Sequence, residues 1–182
     1  MALQADGWYL RSDIIWAKPN PMPESVTDRP TTAHEYLFLL SKSPRYYFDA
    51  NAVREAHQHP EVSHISTRKS AAAKAAFMGN APTNLGRAGN HEAGRNIRSV
   101  WTVATAPYPG AHFATFPPKL VEPCIKAGCP PGGVVLDPFA GSGTTGMVAQ
   151  SLSRRAVLID LSLDYLGQLM DRNRDIPLGL GA

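Results

Sequence analysis

The sequence has little of what several large classes of protein require. Cys124 and Cys129 are its only cysteines, too few for a disulfide framework or for a zinc site with four cysteine ligands. No apolar run approaches the length of a membrane span, and residues 1–12 do not resemble a secretory signal. We therefore expect a reduced, cytoplasmic protein with no membrane partner and no bound metal.

The charge is concentrated in one segment. Residues 51–100 hold seven Lys or Arg against three Glu, a net charge of +4, whereas the whole chain is only +3. Large apolar residues are sparse there, so the segment is either a solvated insertion or a contact surface for nucleic-acid phosphates. We predict a domain of residues 1–50 and 101–182, with 51–100 as an insertion. Its candidate phosphate contacts are Arg68, Lys69, Lys74, Arg87, Arg95 and Arg98.

The rest of the chain has the pattern of packed α/β structure. The predicted strands are Ser12–Lys18, Glu35–Lys42, the "YYFD" of 46–49, the "VWTV" of 100–103, 134–137 and 156–160. The predicted helices are Lys119–Ala127, 144–152 and 163–173, and Pro123 is expected to distort the first of them. Strands and helices that alternate in this way favour a mostly parallel sheet.

A glycine-rich loop follows the strand at 134–137. Its "GSGTTG" is followed by Met147-Val148 rather than by Lys-Ser/Thr, which excludes a phosphate-binding P-loop. Asp160 lies 19 residues after Gly141, near the separation of about 20 that suits a carboxylate for an adenosine ribose. NAD and S-adenosylmethionine both present such a ribose, so the loop alone leaves a dinucleotide-dependent oxidoreductase open. Only 22 residues follow Asp160, too few for the second half of a dinucleotide-binding fold.

Two long stretches together resemble one family. "HFATFPPKLVEPCIKAGCPPGGVVLDPFAGSGTTGMVA", followed by "AVLIDLSLDYL", and "GWYLRSDIIWAKPNPMPES" with "DRPTTAHEYLFLLSKSPRYYFD" are similar to the β-class amino DNA methyltransferases. The resemblance covers nearly the whole chain except 51–100, where this family has target-recognition segments. It implies a Rossmann-like methyltransferase fold. It also implies methyl transfer from S-adenosylmethionine to N6 of adenine or N4 of cytosine in duplex DNA, often in a restriction–modification system.

The resemblance assigns roles to matching residues. The cofactor would contact Asp137, Pro138, Phe139, Gly141, Ser142, Gly143 and Thr144 of the loop, Asp160 through the ribose, and His112, Phe113, Phe116 and Pro117 at its methionine end. The extruded base would lie beside Trp16, Lys18, Asn20 and Pro23. Each has a structural alternative: Ser142 or Thr144 as a helix cap, Asp160 as a cap at a strand end, Phe113 as core, Trp16 as the end of a strand, and Lys18 as a solvated charge.

The catalytic motif of the family, Asp/Asn/Ser-Pro-Pro followed by an aromatic residue, is absent. The two Pro-Pro pairs stand in "FPPK" and "CPPG". Neither pair follows Asp, Asn or Ser, and neither is followed by an aromatic residue. In the β-class order the motif would lie upstream of Met1, so we expect a C-terminal portion that lacks N-terminal strands of the sheet. An upstream polypeptide carrying the motif, or a restriction enzyme, is then a candidate partner. A non-catalytic DNA-binding remnant and an RNA or small-molecule methyltransferase stay open.

Overall fold

The computed structural model describes residues 2–56, 94–105 and 116–165, with residues 167 and 170. Its elements, in chain order, are α1 (Ala2–Ala5), β1 (Tyr9–Ala17), β2 (His34–Ser41), β3 (Val100–Thr102), α2 (Pro118–Gly128), β4 (Val134–Asp137), α3 (Thr144–Ser151) and β5 (Arg155–Leu158). The chain divides into two compact units, one of Met1–Ala52 with Arg98–Ala182 and a smaller one of Val53–Ile97. The expected α/β class is confirmed.

The first sheet of the larger unit has β1 at its centre, in the order β2-β1-β3. β2 runs antiparallel to β1 and β3 runs parallel to it. Trp16 lies opposite Glu35 on one side and opposite Trp101 on the other. Side chains alternate between the faces of a strand, so Trp16 and Glu35 share a face of this sheet.

The second sheet consists of β4 and β5, which are parallel and joined through α3. One face of this sheet packs against α2 and α3. The cluster on that face is apolar and consists of Ile125, Cys129, Val148 and Ala149, with Val121, Val135, Met147, Leu152 and Ala156 packed around it. Strand–helix–strand order with parallel strands is the unit on which nucleotide-like cofactors bind in α/β proteins.

Most predicted elements are present with ends shifted by at most three residues, and two of the three strand pairings in the described part of the chain are parallel. The predicted strand at 46–49 is wrong, because these residues have no regular structure. They follow the turn after the edge strand β2, and an aromatic run alone does not supply a pairing partner. α2 continues through Pro123. Residues 163–165 are helical, and most of the remainder of the helix predicted over 163–173 lies outside the described residues.

No helix in the described part of the chain is long and apolar enough to cross a membrane. α2 spans 11 residues, whereas a membrane-spanning helix needs about 20. The same described residues contain no group of three or more His, Cys, Asp or Glu side chains that could hold a metal ion.

Candidate cofactor-binding and base-binding site

The glycine loop, residues 138–143, leaves the end of β4 and enters α3. Gly141 and Gly143 have φ angles of 48° and 75°, in the left-handed region that residues with a side chain seldom adopt. Gly143 immediately precedes α3 and donates its N–H to the Ala140 carbonyl at 2.8 Å. A Cβ built on Gly141 would meet nothing nearer than the Phe139 oxygen at 4.0 Å. The backbone at Gly141 is therefore open to a ligand.

Gly146, the third glycine of the pattern, has a different function. It lies in the first turn of α3, and a Cβ there would come within 2.4 Å of the Leu158 Cδ1 atom on β5. Its small size lets α3 pack closely on the second sheet, so Gly146 is a packing residue rather than a ligand contact.

Asp160 fastens the glycine loop to the end of β5. Its Oδ2 accepts a hydrogen bond from the Gly141 N–H at 2.8 Å, and its Oδ1 accepts one from the Ser162 N–H at 2.9 Å. The Ala140 N–H donates to the Ile159 carbonyl at 2.9 Å, which adds a second tie between the same segments. A carboxylate has about four acceptor positions, so these bonds are compatible with the predicted contact to a ribose.

The other loop residues divide into exposed and buried sets. The Asp137 Oδ1 accepts the Phe139 N–H at 3.0 Å, and the Phe139 side chain is 83% exposed beyond this turn. Ser142 and Thr144 are buried, with their hydroxyl oxygens 3.2 Å apart. Gly143, directly before α3, provides no side-chain cap for the helix.

The start of α2 brings a further predicted residue to the site. Pro117 is buried in an extended conformation directly before α2, and Pro118 is the first helical residue. A proline suits this position because the first N–H groups of a helix have no partner within it. Phe116 lines the cavity described next. His112 and Phe113 lie outside the described residues.

A cavity of about 410 Å³ lies between the first sheet, α2 and the first turn of α3. Its size falls within the range of small-molecule sites, about 300–1,000 Å³. Its walls are mostly apolar, and its lining residues also include one Lys, one Glu and three residues that carry a hydroxyl group. The lining residues are Trp16, Lys18, Glu35, Tyr36, Leu37, Thr105, Phe116, Leu120, Val121, Cys124 and Thr145.

Trp16 and Lys18 belong to this cavity, as predicted, but Trp16 is part of its wall rather than an open stacking surface. The Trp16 side chain is 4% exposed, and its indole N–H donates to the Val103 carbonyl at 2.7 Å. The Lys18 ammonium lies 4.6 Å from the centre of the Trp16 ring and forms an ion pair with Glu35. From the sequence, Glu35 was predicted only to lie at the start of a strand. Its approach to Lys18 could not be predicted because it depends on the pairing of β1 with β2.

Asn20 and Pro23, which were also predicted to border the base, are not among the residues that line the cavity. The Asn20 side chain accepts the Thr105 N–H at 3.0 Å and donates to the Thr105 carbonyl at 3.4 Å, which positions a cavity-lining residue. Pro23 is exposed and is not among the residues that line the cavity. Asn20 therefore reaches the cavity through Thr105, and Pro23 does not reach it.

Cys124 faces the cavity from α2. A water-sized molecule can reach its thiol, while the surrounding protein desolvates a charge there and raises the pKa of Cys124 to about 11. The thiol is therefore protonated at neutral pH, and its S–H donates to the Leu120 carbonyl at 3.4 Å. Cys129 is buried in the apolar cluster.

The predicted phosphate contacts are described only in part. Arg68, Lys69, Lys74 and Arg87 lie outside the described residues. Arg95 forms an ion pair with Glu55 at 2.8 Å, and the Arg98 carbonyl accepts the Trp101 indole N–H at 2.6 Å.

A comparison with known protein families shows to which family the chain belongs. A family model described as a DNA methylase of the N6/N4 methyltransferase type matches residues 1–171. The chain belongs to this DNA methylase family.

Curated relatives of this chain include the Type II methyltransferases M.SmaI from Serratia marcescens and M.Cfr9I from Citrobacter freundii. They are 45% and 47% identical to it over 171 residues, 94% of the chain. The chain spans about half the length of these relatives, 48% of M.SmaI and 46% of M.Cfr9I.

Solved structures share the fold of this chain. The M1.HpyAVI–SAM complex matches with a TM-score of 0.59 and 22% identity, over 94% of this chain and 65% of the other. The PvuII DNA methyltransferase, described as cytosine-N4-specific, matches with a TM-score of 0.62 and 18% identity, over 98% of this chain and 55% of the other.

The two Pro-Pro pairs flank α2. Pro118 is its first residue, with Pro117 directly before it, and Pro130-Pro131 lies between α2 and β4.

Proposed function

We propose that this DNA methylase transfers a methyl group from S-adenosylmethionine to an exocyclic amine, N6 of adenine or N4 of cytosine, in duplex DNA. The observation that carries the proposal is the glycine loop at the carboxyl ends of β4 and β5, with Gly141 held by Asp160 at 2.8 Å. The sequence identity to Type II methyltransferases supports a restriction–modification role. We assign the enzyme to the cytoplasm, where cofactor and DNA meet.

The loop fits the cofactor. The open backbone at Gly141 allows close approach of the adenosine and methionine parts, and Asp160 stands where a ribose hydroxyl would donate. Asp137 and the exposed Phe139 lie on the same loop. When bound, S-adenosylmethionine supplies a methyl group on a positively charged sulfur. The residues of this chain orient it and keep water away.

The cavity fits the target base. Thr145, two residues after the glycine loop, brings one wall of the cavity close to that loop, and Lys18 and Glu35 of the first sheet supply polar groups. A base must leave the duplex before an enzyme can act on it, and such pockets read the base by hydrogen bonds and apolar contact. We propose that Lys18 and Thr105 border the extruded base.

We propose that the partner is a further polypeptide segment that carries the catalytic motif, because the second sheet has an exposed apolar face. The face of the second sheet opposite α2 and α3 bears Val134, Leu136 and Val157, all exposed, and Leu136 is 60% exposed. Among the described residues, β4 pairs only with β5 and β3 only with β1. Parallel sheets are ordinarily covered on both faces. We propose that a segment like the unmatched half of the relatives covers this face and pairs with these edges.

Competition between cofactors tests the proposal. We expect S-adenosylmethionine or S-adenosylhomocysteine to bind residues 1–182 with a heat that a tenfold excess of NADH leaves unchanged, because the chain belongs to a DNA methylase family. Isothermal calorimetry measures it. NADH binding that S-adenosylmethionine cannot displace would favour the oxidoreductase and contradict the proposal.

Duplex DNA binding is tested by its dependence on salt. The logarithm of the affinity should fall linearly with the logarithm of salt concentration, by about 0.9 per phosphate neutralised. Replacing Arg68, Lys69 and Lys74 by Ala should flatten the slope by up to about 2.7, as expected for three contacts. Arg29→Ala is the control, since Arg29 pairs with Asp28 on an exposed loop outside the basic segment. A slope that the triple variant leaves unchanged identifies the basic segment as a solvated insertion.

A further inference from the structure

The smaller unit contains a closed junction, which we call the neck and which consists of Arg54, Glu55, Gly94, Arg95 and Asn96. The Glu55 N–H donates to the Arg95 carbonyl at 2.9 Å, and the Arg95 N–H donates to the Glu55 carbonyl at 2.8 Å. This antiparallel bridge joins two residues that are 40 apart in the sequence. The neck therefore holds together the two ends of the basic segment.

Gly94 is required for this close approach. Its φ is 109°, and a Cβ there would lie 2.2 Å from the Glu55 carbonyl oxygen. A residue with a side chain would both strain the backbone and separate the two strands of the bridge. The sequence thus has a glycine at the one position of the neck where the backbones come too close for any other residue.

Side chains close the neck as well. The Arg95 Nε and Nη2 atoms lie 3.0 Å and 2.8 Å from the Glu55 Oε2, and the two side chains are only 31% and 24% exposed. Arg54 Nη1 donates to the Gly94 carbonyl at 3.0 Å and to the Asn96 Oδ1 at 3.1 Å. An ion pair shielded to this degree is less weakened by water and salt than one on the open surface.

We infer that Glu55 and Arg95 are positioning residues for duplex DNA binding. In this role Glu55 contributes to DNA binding, and Arg95 acts without contacting a phosphate itself. The inference rests on the proposed DNA-binding function of the basic segment. A segment whose ends are already joined loses less conformational freedom when it binds than one whose ends are free. The Arg95 guanidinium is engaged by Glu55 and acts on DNA affinity through the neck.

Two variants that change the net charge in opposite directions distinguish the positioning role from an effect of charge alone. Glu55→Gln raises the net charge by one and Arg95→Gln lowers it by one, so charge alone would tighten DNA binding in the first and weaken it in the second. We expect both to weaken the affinity for a duplex oligonucleotide about threefold or more, in keeping with coupling energies of contacting residues. Neither should change the salt slope. Arg29→Gln, which makes the same charge change outside the smaller unit, should stay within about twofold of wild type.

The swapped pair provides the rescue. Glu55→Arg combined with Arg95→Glu should return the affinity to within about twofold of wild type, because the ion pair is rebuilt in reverse. Circular dichroism checks that each variant is folded, and Arg95→Met, which makes the same charge change, replaces Arg95→Gln if that variant is not.

Three results would overturn the inference. The first is tighter DNA binding by Glu55→Gln. The second is a salt slope that is reduced by about 0.9 in Arg95→Gln and that the swapped pair does not restore. The third is a lower melting temperature of the variants with no change in their DNA affinity. A wild-type chain that binds no duplex would overturn the DNA-binding proposal itself, and this inference with it.

Discussion

Residues 1–182, purified alone, are expected to transfer no detectable methyl groups to DNA. Attack by an exocyclic amine requires that its lone pair be withdrawn from the ring and held in line with the methyl group, and such positioning supplies about 7–11 kcal/mol of barrier reduction. Stacking of the extruded base on an aromatic side chain adds about 1–3 kcal/mol of binding. The family resemblance assigns both tasks to the Pro-Pro-aromatic motif. Pro117-Pro118 stands at the start of α2 and Pro130-Pro131 follows it, and neither pair is preceded by Asp, Asn or Ser or followed by an aromatic residue.

The assay measures tritium transferred from S-adenosylmethionine to genomic DNA that lacks host methylation. Co-expression with the part of M.SmaI outside the matched residues should restore incorporation if that part covers the bare sheet face. A single charge placed on that face, as in Leu136→Lys, should then abolish the restoration, because Leu136 is 60% exposed there and the proposed partner would bury the charge. Incorporation by residues 1–182 alone that disappears in Asp137→Ala would show that the catalytic groups lie within this chain.

The second sheet and its loop were predictable from the sequence because their signals are local. The strand over 134–137 has the predicted bounds, and the helix predicted over 144–152 ends one residue earlier, at Ser151. Gly141 and Gly143 occupy the left-handed conformations for which glycine is needed. Such features depend on residues adjacent in the chain, so periodicity and glycine spacing are sufficient to place them.

The cavity was predictable only in part, because it depends on which strands pair. Trp16, Lys18 and Phe116 were predicted to lie at the site, and all three line the cavity. Glu35 was missed, since only the β1–β2 register places it opposite Trp16. Thr105 and Thr145 were missed for the same reason: each comes from a different element, and no spacing in the sequence links them.

Arg95 illustrates a different limit. Composition placed it among the phosphate contacts because it lies in a basic segment, whereas the structure gives its guanidinium a carboxylate partner. The charge of a segment is a sum that does not show which cations are already paired. The partner, Glu55, lies 40 residues away, beyond the reach of any local pattern.

Replacing Asp160 by Ala is expected to weaken S-adenosylmethionine binding by at least about tenfold. The substitution removes the acceptor proposed for the ribose and the two bonds to the Gly141 and Ser162 N–H groups, and hydrogen bonds to a charged group contribute about 1.5–3 kcal/mol each. The loop would lose its tie to β5 at the residue where the backbone is open to the cofactor. Calorimetry compares the dissociation constants, with Asp164→Ala as a control of equal charge on an exposed residue nearby.

Asp160→Asn separates the two tasks of the carboxylate. An amide keeps one acceptor oxygen, so it can hold either the Gly141 or the Ser162 N–H, while it presents no second carboxylate oxygen to a ribose. We expect both its affinity and its melting temperature to fall between those of wild type and Asp160→Ala. Equal heats from wild type, Asp160→Asn and Asp160→Ala would remove Asp160 from the cofactor site and leave it as the fastening between the glycine loop and β5.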